Sequence, residues 1–525
     1  LTIIILIIIE NKKMLKSNEV KVRNRNNNKR AYIEKNINKF SFIFKLSFIY
    51  ITYKIINYKY FKHKILYYEN GSILYDGEWL KGKKNGKGIL YYENGNIKFN
   101  GTFLEDRFRG FGILFKKNGN IEYNGTWFKG QYNGNGLSYY ENGNIKYNGT
   151  YLKGEKNGYG IIYDKNNNII YNGSWIQGKR DGYGISYFEN KNIKYIGTWH
   201  KDKMEGYGLL YFKNGNISYN GTWNQDEYDG NGTDYYENGN ILYKGGFNHD
   251  KFDGFGILYN KDGNILYNGT YKQNKRDKFG VEYYPCGNIL YRGEWLDDNY
   301  DGYGILYFEN GNMLYNGTWS KGKFHGYGIL YNEIKCILYN GSWSKDKYDG
   351  YGILYFKNGN INYNGYFSNG KFNSYGKIYD EKGRIIYNGS WSKDKYDGNG
   401  ILYYKNGNIK YNGEWSKGKY HGYGYLYKEN GNIIYKGSWY DNKVVGNGIL
   451  YYENGNILYN GGWFKSKKDG YGIEYYQNGK VKYNGTWYED KKDGYGILYD
   501  KNNIIKYKGY FKNGLITYEL YKIMI

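Results

Sequence analysis

Tyr123-Asn-Gly-Thr-Trp127-Phe-Lys-Gly-Gln-Tyr-Asn-Gly134-Asn-Gly136-Leu-Ser-Tyr-Tyr-Glu-Asn142-Gly143-Asn144-Ile-Lys146 is one period of a phrase that returns every 24 residues without insertion or deletion. Its first aromatic stands at 75, 99, 123 and onward to 507, nineteen times in all. A fixed period means one supersecondary unit, copied and stacked, with each copy touching mainly its neighbours. Tyr123, Gly125 and Trp127 alternate at period two and so share one face of a strand. A polar turn follows, Gly134 and Gly136 open a second strand, and Glu141-Asn-Gly-Asn144 reverses the chain. Asn-Gly between β-prone runs is a strong hairpin signal, because both residues tolerate positive φ. The unit is therefore a β-hairpin. The chain is predicted to be all-β, an elongated single-layer antiparallel meander of stacked hairpins, ~180 Å long at ~4.8 Å per strand before twist.

The glycine and tryptophan columns read as packing. The glycine two residues after the first aromatic (Gly77, Gly125) is present in all nineteen copies, and the second glycine of the Gly-x-Gly (Gly88 of Gly86 and Gly88) in all eighteen complete ones. The first glycine departs twice, at Lys278 and Ser374. Missing side chains on both strands leave room for a neighbouring ring to lie flat on the backbone, and first aromatics such as Tyr75 and Tyr123 count among the packing residues. All thirteen tryptophans fill one slot: Trp79, Trp127, Trp175, Trp199, Trp223, Trp295, Trp319, Trp343, Trp391, Trp415, Trp439, Trp463 and Trp487, with Phe or Tyr elsewhere. A slot that accepts any large ring is a packing slot. Tyrosine suits a thin structure, since its ring packs while its hydroxyl stays wet. The other face is also partly apolar, as at Tyr183, Ile185 and Tyr187. Contiguous exposed apolar surface marks a binding face or self-association, unless the tyrosine hydroxyls simply solvate it.

Bulk properties narrow the classes. With 78 glycines, 74 tyrosines and a single proline in 525 residues, a repeat array is favoured over several globular domains. Cys286 and Cys336 lie about two repeats apart, too far to bridge, and a reducing, intracellular setting is expected. The twelve Asn-Gly-Ser/Thr triplets follow from the repeat rather than from glycosylation. No convergent acid, base or nucleophile stands out. The five histidines form no metal-ligand spacing, and each Gly-x-Gly lacks the strand-to-helix context of a dinucleotide loop. No enzyme activity, metal, cofactor or small-molecule substrate is expected.

Charge points to partners. Residues 1–65 hold fifteen Lys/Arg and three acids, a net +12 of the total +25. The chain divides into a basic arm at 1–39, read as disordered; an aromatic and aliphatic segment at 40–64; and the array at 65–525. Residue 1 is Leu, and Met14 is a candidate start. Residues 40–56 are open to three readings: a cap on the first hairpin, an interfacial anchor, or a transmembrane span, the last disfavoured by Lys45 and Lys54. In the array, the eighth residue after the first aromatic is Lys or Arg in fourteen of eighteen copies, and two positions later an acid stands in ten. Stacked turns would align these as rows along one edge, solvating it or meeting anionic headgroups. Candidate contacts for an anionic partner are Lys12, Lys13, Lys16, Arg23, Arg25, Lys29 and Arg30 on the arm, with Lys83, Arg107, Lys179, Lys203, Lys347 and Lys491 on the turns. Nucleic acid is not favoured.

The phrase resembles the MORN (membrane occupation and recognition nexus) repeat, Tyr-x-Gly-x-Trp-x-x-Gly-Lys-x-x-Gly-x-Gly. Tyr411-Asn-Gly413 followed by Trp415-Ser-Lys-Gly-Lys-Tyr-His-Gly-Tyr-Gly424 fits every signature position. The period departs, with 24 residues where that family commonly has 23. The Tyr-Tyr-Glu-Asn-Gly stretch is also similar to bacterial antitoxin repeats of the YwqK type. The resemblance implies a hairpin scaffold or membrane-contact module at membranes or the cytoskeleton, binding protein partners, itself or anionic phospholipids such as phosphoinositides. Some members are fused to lipid kinases or methyltransferases. No such segment is visible here, though the repeats of a longer enzyme remain an alternative.

Overall fold

The computed structural model describes residues 62–517. The basic arm, with its candidate contacts from Lys12 to Arg30, and the segment 40–56 lie outside the described residues. Every regular element described is a β-strand, 39 of them, in an antiparallel succession with the 24-residue period. The chain separates into two compact units, Leu1–Met204 and Glu205–Ile525. In the first, each strand pairs with its chain neighbours, from Lys62–Tyr67 against Ile73–Leu80 up to Lys179–Tyr187 against Ile193–His200. In the second the same succession runs from the Lys203–Tyr211 and Ile217–Asn224 pair to Leu515–Ile516.

One repeat shows the register. The strand Ile121–Phe128 meets Gln131–Tyr139 with Tyr123 opposite Ser138, Gly125 opposite Gly136 and Trp127 opposite Tyr132, with a register shift between Gly125 and Trp127. Gly136 in turn faces Gly149 of the next repeat. Glycine therefore lies beside glycine from strand to strand. A Cβ on Gly136 would stand 2.1 Å from the Tyr123 hydroxyl, and one on Gly125 only 2.5 Å from the Gly136 Cα. Tyr123 lies across this bare strip and is fully buried.

The expectation of a wet hydroxyl fails in that column. The Tyr75 hydroxyl donates to the Glu78 carbonyl at 2.8 Å, and Tyr219 does the same to Thr222 at 3.0 Å. The glycine strip brings the ring so close to the backbone that its hydroxyl reaches a main-chain carbonyl instead of water. Burial raises these phenols well above their ordinary pKa.

Three local features differ from the sequence reading. The second strand begins at Gln131, before Gly134. Gly134 has φ +86 and does not belong to the ring-packing strip. Lys278 and Ser374, which replace that glycine elsewhere, keep the same left-handed conformation at φ 58. The column of Gly86 and Gly134 therefore serves backbone conformation at the bulge, whereas the column of Gly88 and Gly136 makes room for the ring.

The dihedrals of the two turns differ from one another. Both positive φ values fall at the polar turn, Lys129 (51) and Gly130 (80), a two-residue loop of the twist-matching type. At Glu141-Asn-Gly-Asn144 only Gly143 is left-handed. There the Gly143 amide donates to the Tyr140 carbonyl at 3.2 Å and the Tyr140 amide to Asn144 at 2.9 Å. This longer loop closes as an ordinary turn followed by one left-handed residue, so Asn142 need not adopt positive φ.

Candidate functional site

Each repeat contributes to three surfaces, and their chemistry determines which can recognise a partner. The first is the ring face. Trp127 Nε1 donates to the Gly112 carbonyl of the preceding repeat at 3.0 Å, and Trp175 to Gly160 at 3.1 Å. Twelve of the thirteen tryptophans are buried. Trp79, in the first repeat, is half-buried, and the Lys64 ammonium covers its ring at 4.7 Å. These residues hold one hairpin against the next.

The ring face also contains a column that sequence reading missed, nine residues after the first aromatic. Its side chain lies between the tyrosine of its own repeat and the large ring of the following one. In many copies it is aromatic: Tyr132 stacks on Tyr123 at 3.9 Å and meets Tyr151 edge-on at 5.4 Å. In others it is a cation. Arg180 lies 3.8 Å over the Trp199 ring, Arg276 4.1 Å over Trp295, and Lys156 4.5 Å over Trp175. A guanidinium and a phenyl ring are interchangeable here because both present a flat or cationic surface to a ring face. The signal was present in the sequence, as a position restricted to aromatic, Lys, Arg, Met and Val.

Next to this column runs one that is mostly Leu or Ile, fifteen residues after the first aromatic. Three acids interrupt it. Glu282 accepts from Arg276 at 2.6 Å and from the Tyr300 hydroxyl at 2.7 Å. Glu474 lies 3.2 Å from Lys468 and 3.4 Å from Lys482. Asp234, between Tyr219 and Tyr243 in register, has no ion-pair partner among the described residues. Burial pushes its carboxyl up to about 6, opposed only by the Tyr235 amide.

The turn edges form the second surface. Lys83, Arg107, Lys179, Lys203, Lys347 and Lys491 all lie exposed there. The acids two positions on point back into the array. Asp301 accepts from the Lys321 amide at 3.0 Å, Asp349 from Asn369 at 3.0 Å and Asp493 from Asn513 at 3.1 Å, each reaching the next repeat's turn. The second turn residue works in the opposite direction, as where Asp346 accepts from the Phe324 amide at 2.8 Å. At the opposite edge, both Asn142 and Asn144 donate to the Lys165 carbonyl at 2.8 Å. Much of what read as solvating charge therefore staples one turn to the next.

The third surface is the face away from the tryptophans. The middle residue of the Gly-x-Gly is aromatic in thirteen copies, and all thirteen rings are exposed, from Tyr423 at 45% to Phe255 at 64%. Tyr351 donates to Asn364 Oδ1 at 2.6 Å and Tyr375 to Asn388 at 2.5 Å, which lays the rings down along the sheet. Among the described residues no three His, Cys, Asp or Glu converge as metal ligands. Both cysteines are free thiols, and among the described residues no helix is long and apolar enough to cross a membrane.

Comparison with known proteins agrees with this architecture. The family model described as MORN repeat matches sixteen segments: 75–97 and 123–145, five between 147 and 265, 291–313 and 315–332, and seven between 339 and 504. No curated protein matches the chain. Among solved structures, the crystal structure of TcdB2-TccC3 shares 11% identity over 84% of this chain and 26% of its own, with a TM-score of 0.13. The crystal structure of TcdB2-TccC3-Cdc42 shares 11% over 85% and 26%, with a TM-score of 0.11. The Photorhabdus luminescens Tc holotoxin pore shares 10% over 85% and 29%, with a TM-score of 0.10. This chain thus spans less than a third of the length of those chains, and at such TM-scores the likeness carries no functional weight.

Proposed function

Because the chain belongs to the MORN repeat family, with matched segments over more than half its length, we propose that it is a non-catalytic scaffold that presents its exposed ring face to protein partners or to a second copy of itself. The observation that carries this reading is the row of thirteen exposed Tyr and Phe rings, one per repeat at a single position. Aromatic rings supply contact area at low entropic cost and are enriched where proteins meet. The site of action is proposed as intracellular, at a membrane or the cytoskeleton. Replacing Tyr303, Tyr327 and Tyr351 by Ser removes three adjacent members of the row without touching the buried rings. The variant is expected to lose partners recovered by proximity labelling in the native cell, or self-association in sedimentation. An unchanged set of partners and an unchanged sedimentation profile would refute the proposal.

The exposed lysines and arginine on the turns support a second reading, binding of anionic phospholipids. Co-sedimentation with phosphatidylserine vesicles, comparing residues 14–525 with 66–525, tests it. Binding by neither form removes the lipid reading, while loss only in the shorter form assigns it to the arm.

A further inference from the structure

The Glu474 cluster has a counterpart fourteen repeats earlier, in the first unit, with its carboxylate missing. Moving back 336 residues takes Glu474 to Ser138, Lys482 to Lys146 and Lys492 to Lys156. The register is identical. Glu474 stands opposite Tyr459 and Tyr483, and Ser138 opposite Tyr123 and Tyr147. In the later copy the Glu474 carboxylate pairs with Lys468 at 3.2 Å and Lys482 at 3.4 Å, and its charge favours the charged form of Lys492. The counterpart of Lys468 is Tyr132, so Lys146 alone matches an ion-pair partner. In the earlier copy neither lysine has a carboxylate at ion-pair distance among the described residues. Lys146 faces the Tyr140 ring at 5.8 Å, and Lys156 lies over Trp175, its pKa depressed by burial and by Lys146.

The place left by the missing carboxylate is open. A cleft of about 660 Å³ is lined by Ser138, Lys146, Lys156, Tyr132 and Tyr151, together with Lys116, Lys117, Glu122 and Glu155. The Ser138 side chain has three fewer heavy atoms than the glutamate at the equivalent position. With Lys116 paired to Glu141 at 3.6 Å, Lys117, Lys146 and Lys156 against two glutamates still leave the lining positive, and the glutamates disfavour a ligand carrying more than one negative charge per group.

We propose that Lys146 and Lys156, either side of Ser138, form an acceptor for a carboxylate on an acidic segment of a protein partner. The carboxylate takes the place that Glu474 fills within the chain. This rests on the scaffold reading and adds to it the chemistry of one partner. A carboxylate is favoured over phosphate because Lys482, the counterpart of Lys146, already holds one fourteen repeats on, and because Glu122 and Glu155 line the cleft.

The test uses the full chain and a fluorescein-labelled hexaglutamate peptide, followed by anisotropy at low salt. The chain is expected to bind it. Lys146→Gln with Lys156→Gln is expected to weaken binding about tenfold or more, the size of one lost charge-assisted contact. Because Lys156 also packs on Trp175, a second variant is needed. Ser138→Glu installs the missing carboxylate, should abolish binding while raising the melting temperature, and changes net charge by only one. Glu474→Ser should open a second peptide site of similar affinity.

No binding by the parent chain, or undiminished binding by Ser138→Glu, overturns the proposal. Competition by inorganic phosphate at concentrations where acetate has no effect overturns it in favour of a phosphate site. Recruitment to phosphatidylserine vesicles that depends on Lys146 and Lys156, without peptide binding, overturns it in favour of lipid. None of these outcomes touches the ring row, so the scaffold proposal stands or falls on Tyr303, Tyr327 and Tyr351.

Discussion

Asp234 places a carboxylate where most repeats have Leu or Ile, and the consequence can be worked through. Its pKa is raised from 3.8 to about 6, with desolvation as the largest cause. At about 1.4 kcal/mol per unit, two units amount to ~3 kcal/mol for a fully desolvated group. The side chain keeps partial access to water, which roughly halves this, to ~1.5 kcal/mol. The sign follows from linkage. An acid whose folded pKa lies above its unfolded one favours the folded state when protonated, so its stabilising contribution is complete below about pH 4. That contribution fades as pH rises through about 6. Asp234→Leu should therefore gain stability over the parent chain by an amount that grows ~1–2 kcal/mol between pH 4 and pH 7, above a constant gain from the added apolar surface. Asp234→Asn should show the same pH-dependent part without the constant one. Stability in an array is local, so the assay is hydrogen exchange of peptides covering Glu227–Tyr235 and Ile241–Asn248, compared with the parent at each pH and backed by urea midpoints. Parallel curves for parent and variants from pH 4 to 7 would refute the argument.

Three further outcomes follow from the geometry. Gly136→Ala puts a Cβ 2.1 Å from the Tyr123 hydroxyl and should cost ~3 kcal/mol or more, whereas Gly143→Ala, at φ +84 with open space around it, should cost only ~1 kcal/mol; urea midpoints separate the two. Ser374→Gly and Lys278→Gly relieve left-handed φ values of 58 and should each stabilise by ~1 kcal/mol, read by hydrogen exchange in the flanking strands. Trp175→Phe removes the hydrogen bond to the Gly160 carbonyl and leaves that carbonyl without its donor, with an expected loss of ~1–3 kcal/mol in thermal unfolding.

Much of the architecture was legible in the residues. Tyr, Gly and Trp at period two, repeated every 24 residues, specify a hairpin with one buried face, because the alternation of strand side chains is fixed by backbone geometry alone. The Gly88 column was legible for the same reason: a large ring and a bare backbone position recur together. The roles of the two glycines in Gly-x-Gly were not separable. Both read as absent side chains, and only backbone dihedrals show that Gly134 bends the strand while Gly136 accommodates Tyr123. Asn-Gly marked a chain reversal that the structure bears out, but which of its residues is left-handed was not legible, since loop length, which decides the turn type, depends on where the strands stop pairing.

The charged turns show most clearly where the sequence stops and the stacked structure begins. Residue by residue, Lys and Asp on a turn are indistinguishable from solvating charge. Asp301 becomes a cap for the Lys321 amide only when the next hairpin is stacked beside it, a contact twenty residues away along the chain. Lys146 and Lys156 are likewise two members of a basic composition until pairing register places them around Ser138. Period and alternation depend on near neighbours along the chain, so the sequence by itself determined the hairpin and its buried ring face. The use of each charge depends on which groups from different repeats end up within a few ångströms, and that was decided only when the strands were laid side by side.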